Sequence, residues 1–212
     1  MKKFFMFLMS LALIVGVSAC TCTQQKGTSE LGAVAEGFTV EQTISLDRQA
    51  MFLQHGDADQ YRWYETCVKL TNWLDEENDG AIDMVVNVFQ TIEQCSETTF
   101  DTYVYKYQHL ADGTVNEEAV HGFWVEDYPL NEEAIVITFK EAFQKVQEVN
   151  LPKPHTRNVV LRKEIGPIEA NPQWIFGNLH EQIYVDAVTG EVSATSPSFK
   201  GLNLGTPLGE WP

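Results

Sequence analysis

Acidic residues dominate the positions where chemistry could be done, and Asp75, Glu77, Asp79 and Gly80 come nearest to a recognised arrangement. They read like the opening of a calcium loop. A complete loop needs a bidentate Glu at position twelve and a helix on each side. Counted from Asp75 that position is Val86, and both flanks alternate like strands, so the segment reads as a solvated turn. Glu126 and Asp127, beside Trp124, have the composition of a glycosidase pair. Neighbours along a strand point to opposite faces, however, whereas an acid and its partner must converge on one bond. His55, His109, His121, His155 and His180 are scattered, without the H-E-x-x-H or C-x-x-C spacing of a zinc site. No G-x-S-x-G elbow and no phosphate loop occurs. These patterns assign no catalytic residue, no metal and no cofactor, and the expectation is a protein that is not an enzyme. Tyr103, Tyr105 and Tyr107 form an aromatic stripe with His109 beyond. Such a stripe is either cross-strand packing or, if exposed, a partner-binding surface. The high β-propensity of tyrosine favours packing.

The elements that must position these residues are mostly strands. Tyr64, Val68, Leu70 and Leu74 alternate with Glu65, Lys69 and Thr71. Beyond Asp75–Gly80, Ile82, Met84, Val86, Val88 and Ile92 alternate with Asp83, Asn87, Thr91 and Glu93. Period two around an acidic, glycine-ended connection predicts a β-hairpin. Further strands are expected over 100–110, 122–125, 158–165, 173–176 and 182–187, with a short entry strand at 134–137. A short helix is expected over 46–54. A second begins at Thr138, where Thr138 and Glu141 have capping-box spacing and Phe139, Ala142, Phe143, Val146 and Val149 recur at helical spacing. Pro152 and Pro154 stop it.

At the N-terminus, Lys2 and Lys3 precede an apolar run from Phe4 to Val17. At roughly 14 residues the run is short for a permanent membrane span but suits a signal peptide. Val17-Ser18-Ala19-Cys20 resembles the lipobox of bacterial lipoproteins, which implies cleavage after Ala19 and acylation of Cys20. More than one acyl chain is needed for stable anchoring. Residues 21–37 are polar and small, without apolar periodicity, and read as a tether. Losing Lys2 and Lys3 takes the formal charge from −16 to −18. Such a surface repels phosphate backbones, which argues against nucleic-acid binding.

From Thr138 to Val192 the chain resembles a PepSY domain. The matching parts are the capped helix Thr138-Phe139-Lys140-Glu141-Ala142-Phe143, the strand Gln173-Trp174-Ile175-Phe176-Gly177 and the closing turn Tyr184-Val185-Asp186-Ala187-Val188-Thr189-Gly190-Glu191-Val192. The whole chain is similar to PepSY-like lipoproteins of Gram-negative bacteria. That resemblance implies an inhibitory or protein-binding role toward an envelope protein or peptidase, and it carries no catalytic residue. Within the turn, Asp186 is expected to accept backbone N–H bonds and Gly190 to adopt positive φ.

Together these readings divide the chain into a signal peptide (1–19), a lipidated cysteine with tether (20–37), a strand-rich half (38–130), a PepSY-like half (131–197) and a coil tail (198–212). The expected fold is α+β, an antiparallel sheet with a helix packed on one face, extended to two PepSY-like halves in tandem. The expected protein is an envelope lipoprotein of the outer membrane facing the periplasm, a binding module; an envelope hydrolase and a structural component are the alternatives. With the hairpin centred near Asn78, Cys67 faces Phe89 and Cys95 faces Tyr61. The two cysteines then stand roughly 20 Å apart along the strands at ~3.3 Å per residue. A disulfide spans at most about 7 Å between Cα atoms, so two free thiols are expected, and Cys22 has no fixed partner.

Overall fold

The structure, a computed structural model, describes residues 37–56, 58–94, 100–178 and 181–199. The expectations for Cys20, Cys22, Cys95, His180 and the tail beyond residue 199 lie outside the described residues.

Helix α1 (Val40–His55) starts at Thr39. The Thr39 hydroxyl accepts the Gln42 N–H at 3.2 Å, and Gln42 Oε1 accepts the Thr39 N–H at 2.8 Å. This reciprocal cap satisfies two amides that a helix start leaves unpaired. The short helix expected over 46–54 is the last part of this longer one. Its buried residues are Val40, Thr43, Ile44, Asp47, Ala50 and Met51. Their spacing is helical throughout, but Thr43 and Asp47 interrupt the apolar stripe from which a helix is read.

Strands β1 (Tyr61–Leu70), β2 (Ile82–Gln94), β3 (Phe100–Leu110) and β4 (Val115–His121) follow as an antiparallel meander. After the two-residue β5 (Asp127–Tyr128) comes helix α2 (Phe139–Glu148). Its cap is the expected one, with Glu141 N–H on Thr138 Oγ1 at 3.3 Å and Thr138 N–H on Glu141 Oε2 at 2.9 Å. Strands β6 (Asn158–Glu164), β7 (Gln173–Gly177), β8 (Gln182–Asp186) and β9 (Val192–Ser193) complete the order. Among the described residues nine strands join one sheet, β4-β3-β2-β1-β6-β7-β8-β9, with β5 also paired to β6. With the two α-helices of the described residues the fold is α+β and mostly sheet. Its centre is the β1–β6 pair, where Glu65–Lys69 run against Arg162–Asn158.

Register sorts the side chains into two faces. One row runs Glu117, Tyr107, Asn87, Thr66, Leu161, Trp174, Val185; the next runs Glu118, Lys106, Val88, Glu65, Arg162, Gln173, Asp186. Adjacent rows point opposite ways. The first belongs to an aromatic face that also carries Trp63, Phe89, Tyr105 and Phe176; the second belongs to a charged face.

Several expectations are corrected. Cys67 faces Val86, not Phe89, and Tyr61 faces Thr91. A bulge between Trp63 and Glu65 inserts Tyr64, so Tyr61 and Trp63 share a face with Thr66, Val68 and Leu70 across a change of parity. Asn87 and Thr91, expected on the solvent side of β2, are both fully buried. The fourth strand is β4 rather than 122–125; six of its seven residues are exposed, and without an apolar alternation it gave no signal. At 134–137 there is no strand. A 3-10 turn at Glu132–Ala134 is followed by Val136 and Ile137, whose N–H groups both bond Ala187 O at 2.9 Å. The tail expected from Ser198 begins in a 3-10 turn, Pro197–Phe199, with Ser198 buried.

Candidate functional site

Two clusters of ionisable side chains lie on opposite faces of the sheet. On the aromatic face, Asp47 of α1 sits over β2 and β3. His109 Nε2 lies 2.9 Å from Asp47 Oδ1 and 3.0 Å from Oδ2. Asn87 Nδ2 donates to Asp47 Oδ2 at 2.6 Å and to Thr43 Oγ1 at 3.1 Å. The chain continues through Thr66 Oγ1, which donates to Asn87 Oδ1 at 2.6 Å and accepts from Trp63 Nε1 at 3.1 Å. Burial pushes the Asp47 carboxyl up, and its bonds to His109 and Asn87 oppose that shift. An Asp–His pair can orient a base for a nucleophile. Here side-chain exposure is 1% for His109 and 0% for Asp47, so the pair is sealed from any substrate.

The charged face holds the second cluster. Pairing of β1 with β6 sets Glu65 beside Arg162, and β5 brings Asp127 opposite Glu164. Arg162 lies 2.9 Å from Glu164 Oε1 and 3.7 Å from Asp127 Oδ1. Ser196 Oγ donates to Glu164 Oε2 at 2.5 Å, and Trp124 Nε1 donates to Asp127 Oδ2 at 3.3 Å. Burial pushes Asp127 up to about 7; Arg162 pulls it down, while the neighbouring Glu65 adds to the rise. The Cys67 thiol donates to Glu65 Oε1 at 3.0 Å. Burial and that carboxylate push the thiol upward, away from the thiolate form that reacts. Cys67 is a free cysteine, as expected. Asp127 does take part in a carboxylate cluster, but its partner is Glu65, not the adjacent Glu126.

A cavity of about 370 Å³ lies between the starts of the two helices, lined by Phe38, Val40, Ile82, Phe139, Phe143 and Gly80 among others. Glu41 Oε1 crosses from α1 to accept the Phe139 N–H, the first amide of α2, at 2.8 Å.

The tyrosine stripe lies on the aromatic face. Tyr105 and Tyr107 are buried in the core, and Tyr103 is partly buried against it. Tyr107 donates its hydroxyl to Met51 Sδ of α1 at 3.3 Å. The acidic loop holds itself together: Asn78 Oδ1 accepts Gly80 N–H, Asp79 Oδ1 accepts Ala81 N–H, and Asp75 Oδ1 lies 2.9 Å from His155 Nδ1. Asp186 Oδ1 accepts the Val188 and Thr189 N–H groups at 2.8 Å each, with Gly190 at φ +74°. Burial alone would raise Asp186, but these bonds hold it below the usual carboxylate range. Among the described residues no cluster of His, Cys, Asp or Glu could hold a metal ion, and no helix is long and apolar enough to cross a membrane.

Reading the sequence alone missed Asp47 and the Glu65–Arg162–Asp127 cluster. Asp47 was findable, because Val40, Thr43, Ile44, Asp47 and Met51 keep helical spacing. The second cluster joins residues far apart in the chain through one non-local strand pairing. No family model, no curated protein and no solved structure matches this chain.

Proposed function

We propose that this chain is a lipid-anchored, non-catalytic protein-binding module of a bacterial cell envelope, held through Cys20 at the outer membrane and facing the periplasm. We read its described part as two PepSY-like halves in tandem, each helix laid on the same face of a shared sheet. The repeated order of capped helix and antiparallel strands supports this. So do the ring contacts of Phe139 with Trp174 and Phe143 with Phe176, and the bonds from α1 to Asn87 and Tyr107.

The observation that carries the binding role is where the ionisable chemistry lies. The Asp–His pair is closed inside the fold, whereas exposed polar groups, Asn116, Glu117 and Glu118 among them, lie along a strand edge, as recognition requires. The partner class is an envelope protein, peptidases included. Affinity capture from envelope extract with the full chain should recover such a partner, and recovery of none above background rejects the role. Labelled fatty acid should enter the wild type and not Cys20→Ala; equal labelling rejects the anchor.

An envelope hydrolase is a second reading, favoured by one observation: Asp127 is set near neutrality beside Glu65. Such a pair suits general acid–base work. Yet Asp127 is only 4% exposed, and a substrate would have to displace the Trp124 segment to reach it. Turnover of ester, amide or glycoside substrates that disappears in Asp127→Asn would establish this reading.

A further inference from the structure

Two strands end the sheet, and they differ. β9 has two residues, whereas β4 has seven and is exposed along almost its whole length. Among the described residues nothing pairs with the outer side of β4. Its ladder to β3 shows which backbone groups are unused. Leu110 N–H bonds Thr114 O, and Gly122 N–H bonds Thr102 O, both at 2.9 Å. Antiparallel ladders alternate bonded and non-bonded pairs. Asn116, Glu118 and Val120 therefore spend their amides and carbonyls on β3. Those of Val115, Glu117, Ala119 and His121 point away from the sheet.

We propose that this outer edge of β4 is a docking strand for an extended, cationic segment of a partner protein, which joins the sheet as one more strand. The inference rests on the binding role proposed above and names the partner's chemistry. An open edge offers a row of main-chain hydrogen bonds to any extended chain. Charge selects among them. Glu117 and Glu118 put a carboxylate on each face of the edge, on a chain of net charge −16. Lysine or arginine on the incoming strand would stand opposite them, and opposite charges across a strand pair are favourable. Self-pairing in a register centred on Glu117 or Glu118 is disfavoured, since it sets a carboxylate against its own equivalent. The end of α1 adds apolar contact nearby. Phe52 and Leu53 are 53% and 70% exposed, next to Gln54, whose Nε2 lies 3.5 Å from Glu117.

Ala119→Pro is the discriminating variant. It removes one outward N–H without touching the β3 ladder, which is where a strand tolerates proline. The probe is a fluorescent peptide of alternating lysine and valine, titrated into the detergent-solubilised full chain. Binding is expected for wild type, with at least about tenfold weaker affinity in Ala119→Pro. A glutamate–valine peptide should fail to bind, and so should the lysine peptide methylated at alternate backbone nitrogens, which tests pairing even if the proline variant is unstable. Equal binding by the methylated peptide, or none by the lysine peptide, overturns the proposal. A dimer of the wild type that Ala119→Pro dissolves also overturns it, in favour of self-pairing. Envelope capture separates the two ideas. A partner held equally by wild type and Ala119→Pro overturns the edge while keeping the binding role; peptide binding with no captured partner supports the edge and rejects the role.

Discussion

The stretch from α1 to β4 and the stretch from α2 to β9 share one element order but differ in the chemistry beside the helix. At α2 the buried residues are Phe139, Ala142, Phe143 and Val146, set against Trp174, Phe176, Ile183 and Val185. At α1, Val40, Ile44, Ala50 and Met51 are buried too, but the space also holds Thr43, Asp47, Asn87, Thr66 and His109, all buried and joined by hydrogen bonds. Apolar burial stabilises by about 25 cal/mol per Å² and tolerates sliding. A buried polar network contributes less net stability but punishes misalignment, because each unmatched group keeps its desolvation penalty. The packing beside α2 is thus apolar, whereas beside α1 a polar network within the core fixes one register of α1 on β2 and β3.

Two substitutions bear most directly on that contrast. Trp174 is 1% exposed, contacts Phe139 and donates Nε1–H to Ile137 O at 2.9 Å. Trp174→Ala should lower unfolding free energy by about 3–5 kcal/mol in urea titrations. Asp47→Ala leaves His109 and Asn87 without their shared acceptor and should cost about 3 kcal/mol. Replacing Asp47 and His109 together by leucine should recover most of that loss, since apolar residues often substitute for a buried pair. An Asp47→Ala loss below about 1 kcal/mol would mean that the network specifies nothing.

The same contrast explains what could be read from the sequence. α2 was legible from both its cap and its face, because every buried position is apolar. α1 was legible only from Leu46 onward, since Thr43, ahead of it, counts as solvent-facing in any hydrophobic pattern although it is fully buried. The bulge at Tyr64 hid the true parity of β1, and β4, exposed on both faces, offered no period to detect. Of the candidate sites, the turn at Asp186 was legible because its bonds are local. The Glu65–Arg162–Asp127 cluster was not, because nothing in the sequence sets β1 beside β6.

That cluster gives the next expectation. Asp127 is raised to about 7, chiefly by burial. A carboxyl raised in the fold holds its proton more tightly there than in the unfolded chain, whose value is about 3.9. Its contribution to stability is therefore best below about pH 4, falls as pH climbs toward 7, and levels off above it. Between pH 5 and pH 8 the wild type should lose about 2 kcal/mol through this group. Asp127→Asn should flatten that part of the profile. A profile unchanged by the substitution would place the carboxyl in its ordinary range.

The smallest effect tests whether the two differently built regions act as one. Glu41 belongs to the first turn of α1, yet its carboxylate accepts the Phe139 N–H at 2.8 Å, an amide that α2 cannot satisfy internally. The negative charge also lies at the positive end of the α2 dipole. Glu41→Ala should therefore cost about 0.5–1 kcal/mol, the size of a partly exposed cap. The sharper measurement is its coupling to Thr138→Ala, which removes the α2 cap itself. Both side chains serve the same helix end, so the double variant should differ from the sum of the singles by about 0.5 kcal/mol or more. Glu41 paired with Thr39→Ala, at its own helix start, gives the comparison within one region. Coupling to Thr138 as large as coupling to Thr39 would mean that the helix starts are one structural unit. Strict additivity with Thr138 would mean that the Glu41 bond adds nothing across the junction, leaving the β1–β6 pairing to hold the two regions together.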